Sequence, residues 1–185
     1  MIIGLTGRKG CGKTSAAISL RNNYGYTVRS LATPLKETLV KFGIPIENME
    51  TPGLKEDPLP GFGGKSARKV MQLFGTEFAR SMISDTIWID KLVENIGLLR
   101  ESGVEKIVVD DIRFDNEAIA IKKLGGHVIE VRRPDFFNGS DDHISEKGVS
   151  HELIYGALNN VSCYSTDLDF GVGNMLERLE GAVNV

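Results

Sequence analysis

A parallel α/β sheet flanked by helices is the fold that three observations predict. Short apolar runs alternate with helical patterns along nearly the whole chain. Glycines (Gly25, then Gly125-Gly126) stop helices just before the next apolar run. The first run, Ile2–Thr6, leads straight into the glycine-rich octet Gly7-Arg8-Lys9-Gly10-Cys11-Gly12-Lys13-Thr14. Alternating strands and helices imply βαβ units with right-handed crossovers.

The strand-like runs are 2–6, 26–31, 106–110, 127–131 and 160–164, which makes five strands. The helical patterns between them are 13–22, 34–42, 66–82, 85–100, 116–124, 150–158 and 168–180. Two segments interrupt the rhythm. Residues 43–65 are rich in proline and glycine, and residues 132–149 are polar and charged. Long structureless loops are uncommon unless they bind something. The first reads as a substrate-side insertion and the second as a mobile lid. At 185 residues the chain fits one domain. Within it the acceptor-binding region spans about 33–90 and the lid about 132–150.

Composition excludes several functions. A net charge of −3 gives no footprint for a nucleic-acid polymer. No apolar run approaches the roughly twenty residues of a membrane span. Two cysteines, Cys11 and Cys163, make no disulfide framework. Met1 begins the first strand directly, without a signal-peptide layout. A reducing cytoplasm is the expected compartment.

The octet fits G-x-x-x-x-G-K-[ST], the P-loop. Glycines let successive backbone N–H groups turn inward around an anion, and the following helix offers its positive end to the same charge. The N–H groups of Gly7, Lys9, Gly10, Cys11, Gly12 and Ser15 are therefore candidate contacts to a bound phosphate chain. Lys13 can reach the β- and γ-phosphates, and the Thr14 hydroxyl can ligate Mg²⁺.

A second carboxylate lies on the strand Lys106-Ile-Val-Val-Asp110-Asp111. Ligands of open α/β sheets sit at the carboxyl ends of strands, so an acid there can orient Mg²⁺. Adjacent residues point to opposite sides, so one of the two faces the metal, and Asp111 is the candidate. Arg113, two residues on, fits a second phosphate. Asp115 is expected to cap the helix over 116–124.

The helical pattern 66–82 carries two faces. At 100° per residue Val70, Leu73, Phe74, Phe78 and Met82 form an apolar one. Arg68, Gln72, Thr76 and Arg80 follow at spacing four and drift across about 120°. Two arginines, an amide and a hydroxyl can hold a phosphate and a base edge; a solvated face is the alternative. Gly75 costs about 1 kcal/mol against alanine in mid-helix, which a close approach would explain. Trp88, Phe62 and Phe74 are candidates to stack on a base, or core residues.

These runs resemble the phage-type deoxynucleoside monophosphate kinases. Lys65-Ser-Ala-Arg68, Gln72-Leu-Phe-Gly75-Thr76-Glu77, Arg80 and Trp88 look like that family's acceptor segment. Asp111-Ile-Arg113-Phe114-Asp-Asn116-Glu117 resembles its D-[VI]-R-F-x-N-E signature. Thr33-Pro34-Leu35-Lys36 matches the start of its second helix, and His143-Ile-Ser145-Glu146 resembles its H-x-S-E lid motif, after an Arg132-Arg133-Pro134 like the family's. The family often has an Asn-Asp-Gly turn after the last strand, whereas this chain reads Cys163-Tyr-Ser-Thr-Asp167 there. Contacts to the base in that loop are left unassigned.

The resemblance implies transfer of the γ-phosphoryl group of Mg·ATP to a deoxynucleoside 5′-monophosphate. Lys13 and the loop would hold the donor. Lys36, Arg68, Gln72, Thr76, Arg80, Trp88 and Arg113 would form the acceptor site. Arg132 or Arg133 would stabilise charge on the transferred group. The implied partners are small nucleotides, in a host cytoplasm if the chain is of phage origin. A homodimer is common among related kinases. Two rivals remain: another small-molecule kinase of this architecture, such as one acting on dephospho-coenzyme A, and a nucleotide-dependent switch. The chain carries no Asn-Lys-x-Asp guanine reader.

Overall fold

The computed structural model describes residues 1–133, 147–160 and 165–183, the side chains of 165, 166, 182 and 183 excepted. It divides into two compact units, residues 1–30 with 95–185, and residues 31–94.

The first unit is built on a five-stranded sheet. Its strands are β1 (Ile2–Thr6), β2 (Thr27–Arg29), β3 (Ile107–Val109), β4 (His127–Arg132) and β5 (Gly156–Asn159). They pair in parallel in the order β2-β3-β1-β4-β5. Helix α1 (Lys13–Tyr24) follows β1, and α6 (Asp115–Lys123) follows β3. The carboxy-terminal helix is α7 (Ser165–Val183). Ile3 and Leu5 on one face of β1 join Ile129 and Val131 of β4 in a core with Ala16, Ala17 and Leu20 of α1 and Val172, Met175, Leu176 and Leu179 of α7. The opposite face is covered so closely that a Cβ on Gly4 would lie 3.0 Å from Ile112 and 3.2 Å from Ile121. Strands buried on both faces read as continuous apolar runs, which is why β1 and β3 are plain in the sequence.

The second unit holds α2 (Thr33–Lys41), α3 (Ile46–Glu50), α4 (Ala67–Gln72), a π-helical stretch (Leu73–Ile83) and the start of α5 (Ile87–Glu101). The region expected at about 33–90 lies inside it. Its core gathers Leu35, Leu39, Ile44, Met49, Leu59 and Ala67, with Phe74 and Trp88 packed against them.

Four expectations need correction. First, residues 150–158 do not form a helix, and the last strand does not begin at 160. A 3-10 turn at His151–Leu153 is followed by β5, which pairs with Ile129–Arg132 of β4. The free edge of β4 supplies hydrogen bonds that override the helix-forming Glu, Leu and Ala of this stretch. Residues 161–164 lie outside the described ones, as do 134–146 of the expected lid, with Pro134, His143, Ser145 and Glu146.

Second, residues 43–65, read as a long inserted loop, are not without secondary structure. They carry α3 and a 3-10 turn at Leu54–Glu56, and they bury Ile44, Met49 and Leu59.

Third, the helix over 66–82 is α-helical only to Gln72 and π-helical from Leu73 to Ile83. A π-helix closes its hydrogen bonds at i→i+5, so its turns are wider. The 100° periodicity therefore misplaces the apolar face beyond Leu73. Phe78 is 44% and Met82 77% exposed, while Ala67, Gly75 and Ala79 are buried. Gly75 makes a close approach: a Cβ there would stand 2.7 Å from a terminal methyl of Leu35, which would have to shift.

Fourth, Asp115 is not the cap of α6. Phe114 occupies that position, and Asp115 is the first helical residue. The Glu117 carboxylate accepts from the backbone N–H groups of Arg113 (2.7 Å) and Phe114 (3.1 Å), the acidic half of a capping box. Asp115 instead accepts from Ser150, from its backbone N–H at 2.7 Å and its hydroxyl at 2.6 Å.

Those bonds hold the Asp115 carboxyl below its ordinary value of 3.8. A depressed carboxyl stabilises the fold above its unfolded pKa, and the contribution fades as pH falls through the folded value. Asp115→Asn should accordingly lower stability near neutral pH, and the gap to wild type should close as the solution is acidified below about pH 4; urea unfolding at a series of pH values measures it. A gap independent of pH would remove the ionic part of this tie. The dipeptide Gly125-Gly126 offers a second check. Gly125 has φ +77°, whereas at Gly126 a Cβ would meet the Ile2 and Ile121 carbonyl oxygens at 2.9 and 3.0 Å. Gly126→Ala should cost about 1–3 kcal/mol in urea unfolding, because backbone atoms cannot retreat as a side chain does.

Candidate active site

Parallel pairing puts the carboxyl ends of β3, β1 and β4 side by side, and chemistry-bearing residues leave each of them. From β1 the chain enters the glycine loop, with φ +134° at Gly7, +77° at Gly10 and +104° at Gly12. The loop ends where α1 begins, with the Ala16 N–H donating to the Gly12 carbonyl. It is backed tightly. A Cβ on Gly7 would come 2.3 Å from the Val131 carbonyl oxygen, and one on Gly12 would come 2.4 Å from the Asn160 side-chain nitrogen.

The Lys13 ammonium arches back over this loop. It donates to the carbonyls of Gly7 (2.6 Å) and Arg8 (3.0 Å) and lies 3.8 Å from the Cys11 sulfur. Cys11 is a buried free thiol. Lys9 and Gly12 are half-buried, whereas Gly10, Thr14 and Ser15 are exposed, so the loop and the first turn of α1 open to solvent.

At the end of β3, the Asp110 N–H continues the ladder to the Arg29 carbonyl at 3.1 Å. The Asp111 carboxylate accepts from the Ser30 hydroxyl at 2.6 Å. The next residue, Ile112, donates its N–H to Leu5 of β1 at 3.0 Å, which ties the Asp111 segment to the strand that feeds the loop. Arg113 follows, half-buried, at the entry of α6. At the end of β4, Arg132 pairs with Glu130 two residues earlier, at 2.7 and 2.5 Å. Arg133 is half-buried.

The acceptor candidates other than Arg113 belong to the second unit. Arg68, Gln72, Thr76 and Arg80 are all half-buried. Residues four apart overrun a turn of α-helix but fall short of a π-turn, so the winding beyond Gln72 offsets the expected drift and straightens the row. The Nε of Arg68 donates to Glu56 at 2.6 Å. Lys36 pairs with Glu50 at 3.2 Å. The Trp88 indole N–H donates to the Gly75 carbonyl at 2.9 Å, and the ring packs on the core of this unit together with Phe62 and Phe74. Trp88 thus buttresses the π-helix, and any stacking would use only a ring face.

Sequence reasoning passed over four residues at these sites: Glu56, Ser30, Glu130 and Asn160. The first three meet residues remote in the chain or on a short strand, and no local pattern announces them. Asn160 carried a signal. Asn159-Asn160 is a turn pair, but with the last strand placed four residues too late Asn160 read as the first residue of that strand. With β5 ending at Asn159, Asn160 stands at the carboxyl end of the sheet beside the loop. Among the described residues no three His, Cys, Asp or Glu side chains gather into a metal-holding group.

Comparison with known proteins adds kinship to this geometry. The solved structures similar in shape include a dephospho-CoA kinase from Campylobacter jejuni (TM-score 0.56, 16% identity, 98% of each chain) and a sugar kinase from Janibacter sp. (TM-score 0.53, 13% identity, 97% of this chain and 93% of the other). At those identities they show the fold alone. Sequence goes further. A putative deoxynucleotide monophosphate kinase of Acanthamoeba polyphaga mimivirus is 33% identical over 158 residues, covering 79% of this chain and 80% of the relative. A deoxynucleoside-5′-monophosphate kinase of Escherichia phage T5 is 28% identical over 109 residues, 52% of this chain and 42% of that protein. The family described as deoxynucleotide monophosphate kinase matches residues 64–160, just over half of the chain, from the acceptor row through the end of β5. The chain belongs to the deoxynucleotide monophosphate kinase family.

Proposed function

We propose that the protein transfers the γ-phosphoryl group of Mg·ATP to a deoxynucleoside 5′-monophosphate, giving ADP and the diphosphate. The observation that carries this reading is the glycine loop at the end of β1, with Lys13 arched over it and Asp111 tied alongside. The acceptor is an anionic phosphate oxygen and needs no strong general base. Catalysis then rests on positioning and on neutralising charge.

The donor phosphates lie against the N–H groups of the loop and the amino end of α1. Lys13 exchanges two neutral carbonyls for phosphate oxygens, a gain in hydrogen-bond strength because the acceptor is charged. Arg68, Gln72, Thr76 and Arg80, with Lys36 and Arg113, hold the monophosphate. Arg68 reaches it through its Nη groups, since Nε is engaged by Glu56. Arg132 or Arg133 stabilises the transferred group, Arg132 by leaving Glu130; an exposed pair of this kind is worth at most about 1 kcal/mol and exchanges easily.

The residues suit Mg²⁺. This ion takes one or two protein ligands and completes its shell with phosphates and water, which is what the Thr14 hydroxyl and the Asp111 carboxylate offer. When bound, Mg²⁺ supplies charge neutralisation between the β- and γ-phosphates. No helix among the described residues is long and apolar enough to cross a membrane. With two cysteines that make no disulfide framework in the sequence, the chain suits a reducing cytoplasm, the host's if the origin is a phage. A homodimer, common in related kinases, is the proposed assembly if the chain self-associates.

ADP release coupled to a panel of ribo- and deoxynucleoside monophosphates and dephospho-CoA tests the reading. Turnover with deoxynucleoside monophosphates is expected, and turnover with dephospho-CoA alone would overturn it. Lys13→Ala should lower kcat at least about 100-fold while changing stability by about 1 kcal/mol or less; unchanged turnover would strip Lys13 of its role. Arg68→Ala should raise KM for the monophosphate about 10- to 100-fold and leave KM for ATP nearly unchanged. Equal effects on both would remove Arg68 from the acceptor site.

A further inference from the structure

Asn160 is one of only four buried polar or charged residues among the described ones, at 8% exposure. Burying an amide costs free energy unless its groups are used. Its backbone N–H and one side-chain N–H are used, in two directions. Its backbone N–H donates to the Arg132 carbonyl at 2.7 Å, one step beyond the β4–β5 ladder. Its side-chain N–H donates to the Cys11 carbonyl, inside the glycine loop, at 3.0 Å across 149 positions of sequence.

The second bond has a stereochemical consequence. The Cys11–Gly12 peptide is planar and trans, as none of the peptide bonds among the described residues is cis. In such a unit the carbonyl and the following N–H point in opposite directions. An amide that holds the Cys11 carbonyl toward β5 therefore aims the Gly12 N–H the other way, toward the concave side of the loop. Gly12 permits this, with φ +104° and no side chain to strike Asn160. Both partners are needed: the glycine makes the peptide orientation accessible, and the asparagine selects it.

We propose that Asn160 is a positioning residue for nucleotide binding: it fixes the Cys11–Gly12 peptide so that the Gly12 N–H faces the phosphates, and it anchors that peptide to the end of β4, which carries Arg132 and Arg133. This rests on the reading of the loop as the ATP-phosphate site. The residue touches no reacting atom. Its contribution is to remove an alternative peptide orientation before the nucleotide arrives, which strengthens binding by lowering the ordering cost.

Mg·ADP titrated calorimetrically into wild type, Asn160→Asp and Asn160→Ala tests it. Asp keeps the shape but presents an oxygen to the Cys11 carbonyl, and Ala removes the group. Both should raise the Kd for Mg·ADP and the KM for ATP on the order of tenfold, with KM for the monophosphate unchanged. In ¹⁵N spectra the Gly12 N–H resonance should shift with Mg·ADP in wild type and shift less in Asn160→Asp. A purely structural role would lower the melting temperature of the nucleotide-free protein while leaving these ratios and the Gly12 shift intact, and that result overturns the proposal. Should neither variant fold, wild type decides: the Asn160 side-chain amide protons must exchange slowly with solvent, and rapid exchange refutes the bond. Wild type that fails to bind Mg·ADP defeats the loop reading itself, whereas wild type and variants binding equally well defeats only the role of Asn160.

Discussion

The candidate donor site depends on parallel pairing of β1 between β3 and β4. That arrangement sends every strand's carboxyl end to one edge, so residues far apart in sequence leave the sheet as neighbours. Ile2–Gly4 run beside Ile107–Val109, and Ile3–Thr6 run beside His127–Glu130. The glycine loop, Asp111 and Arg132 therefore emerge together without any contact among their own side chains being required. What the loop needs beyond this is a backing, and the Val131 carbonyl and Asn160 provide it so closely that Gly7 and Gly12 cannot carry a Cβ.

The cations at both candidate sites share one electrostatic design. Lys13 rests on two carbonyls, Lys36 on Glu50, Arg68 on Glu56 and Arg132 on Glu130. A long cationic side chain left unanchored would lose rotamer entropy at the moment of binding. Anchored, it has lost that freedom already, and an incoming phosphate need only compete with a weaker acceptor. The carboxylate partners are themselves partly exposed, Glu50 at 57% and Glu56 at 47%, so their attraction is screened and the exchange costs little. Guanidinium and ammonium groups on a chain of net charge −3 can thus serve two anions without making the whole protein a polyanion binder.

How much of this was legible in the sequence follows from how local each cause is. The glycine loop is a local device: eight consecutive residues contain the turns, the lysine and the helix start, so it reads directly. The buried strands β1, β3 and β4 read well because both faces are covered and the runs are uniformly apolar. β5 does not. It is a short edge strand with a single buried side chain, Leu158, and its hydrogen bonds come from β4 alone. Misplacing it hid Asn160. The same logic applies to Asp115. Its type and position suggest a cap, but its partner Ser150 is reached only through the tertiary fold.

The long helix of the second unit marks where periodicity itself fails. A pattern argument assumes one winding throughout, and the change at Leu73 breaks that assumption. The cause is a packing constraint. Ala67, Gly75 and Ala79 are the positions turned inward, and Gly75 lies so near Leu35 that a Cβ there would displace a Leu35 methyl. The Trp88 indole then takes the Gly75 carbonyl, holding the wider turn in place. An α-helix would have carried Arg80 progressively away from Arg68 around the axis. Wider π-turns bring the later residues back toward the same side, so the cost of irregular winding is tied to keeping four polar groups in one row. π-Helical segments are frequent at functional sites because inserting a residue re-aims side chains without moving the ends of the helix. Here the segment carries Thr76 and Arg80, two of the four residues in the row that the acceptor reading uses, which is the physical reason to read its winding as belonging to the proposed site and not as an accident of packing.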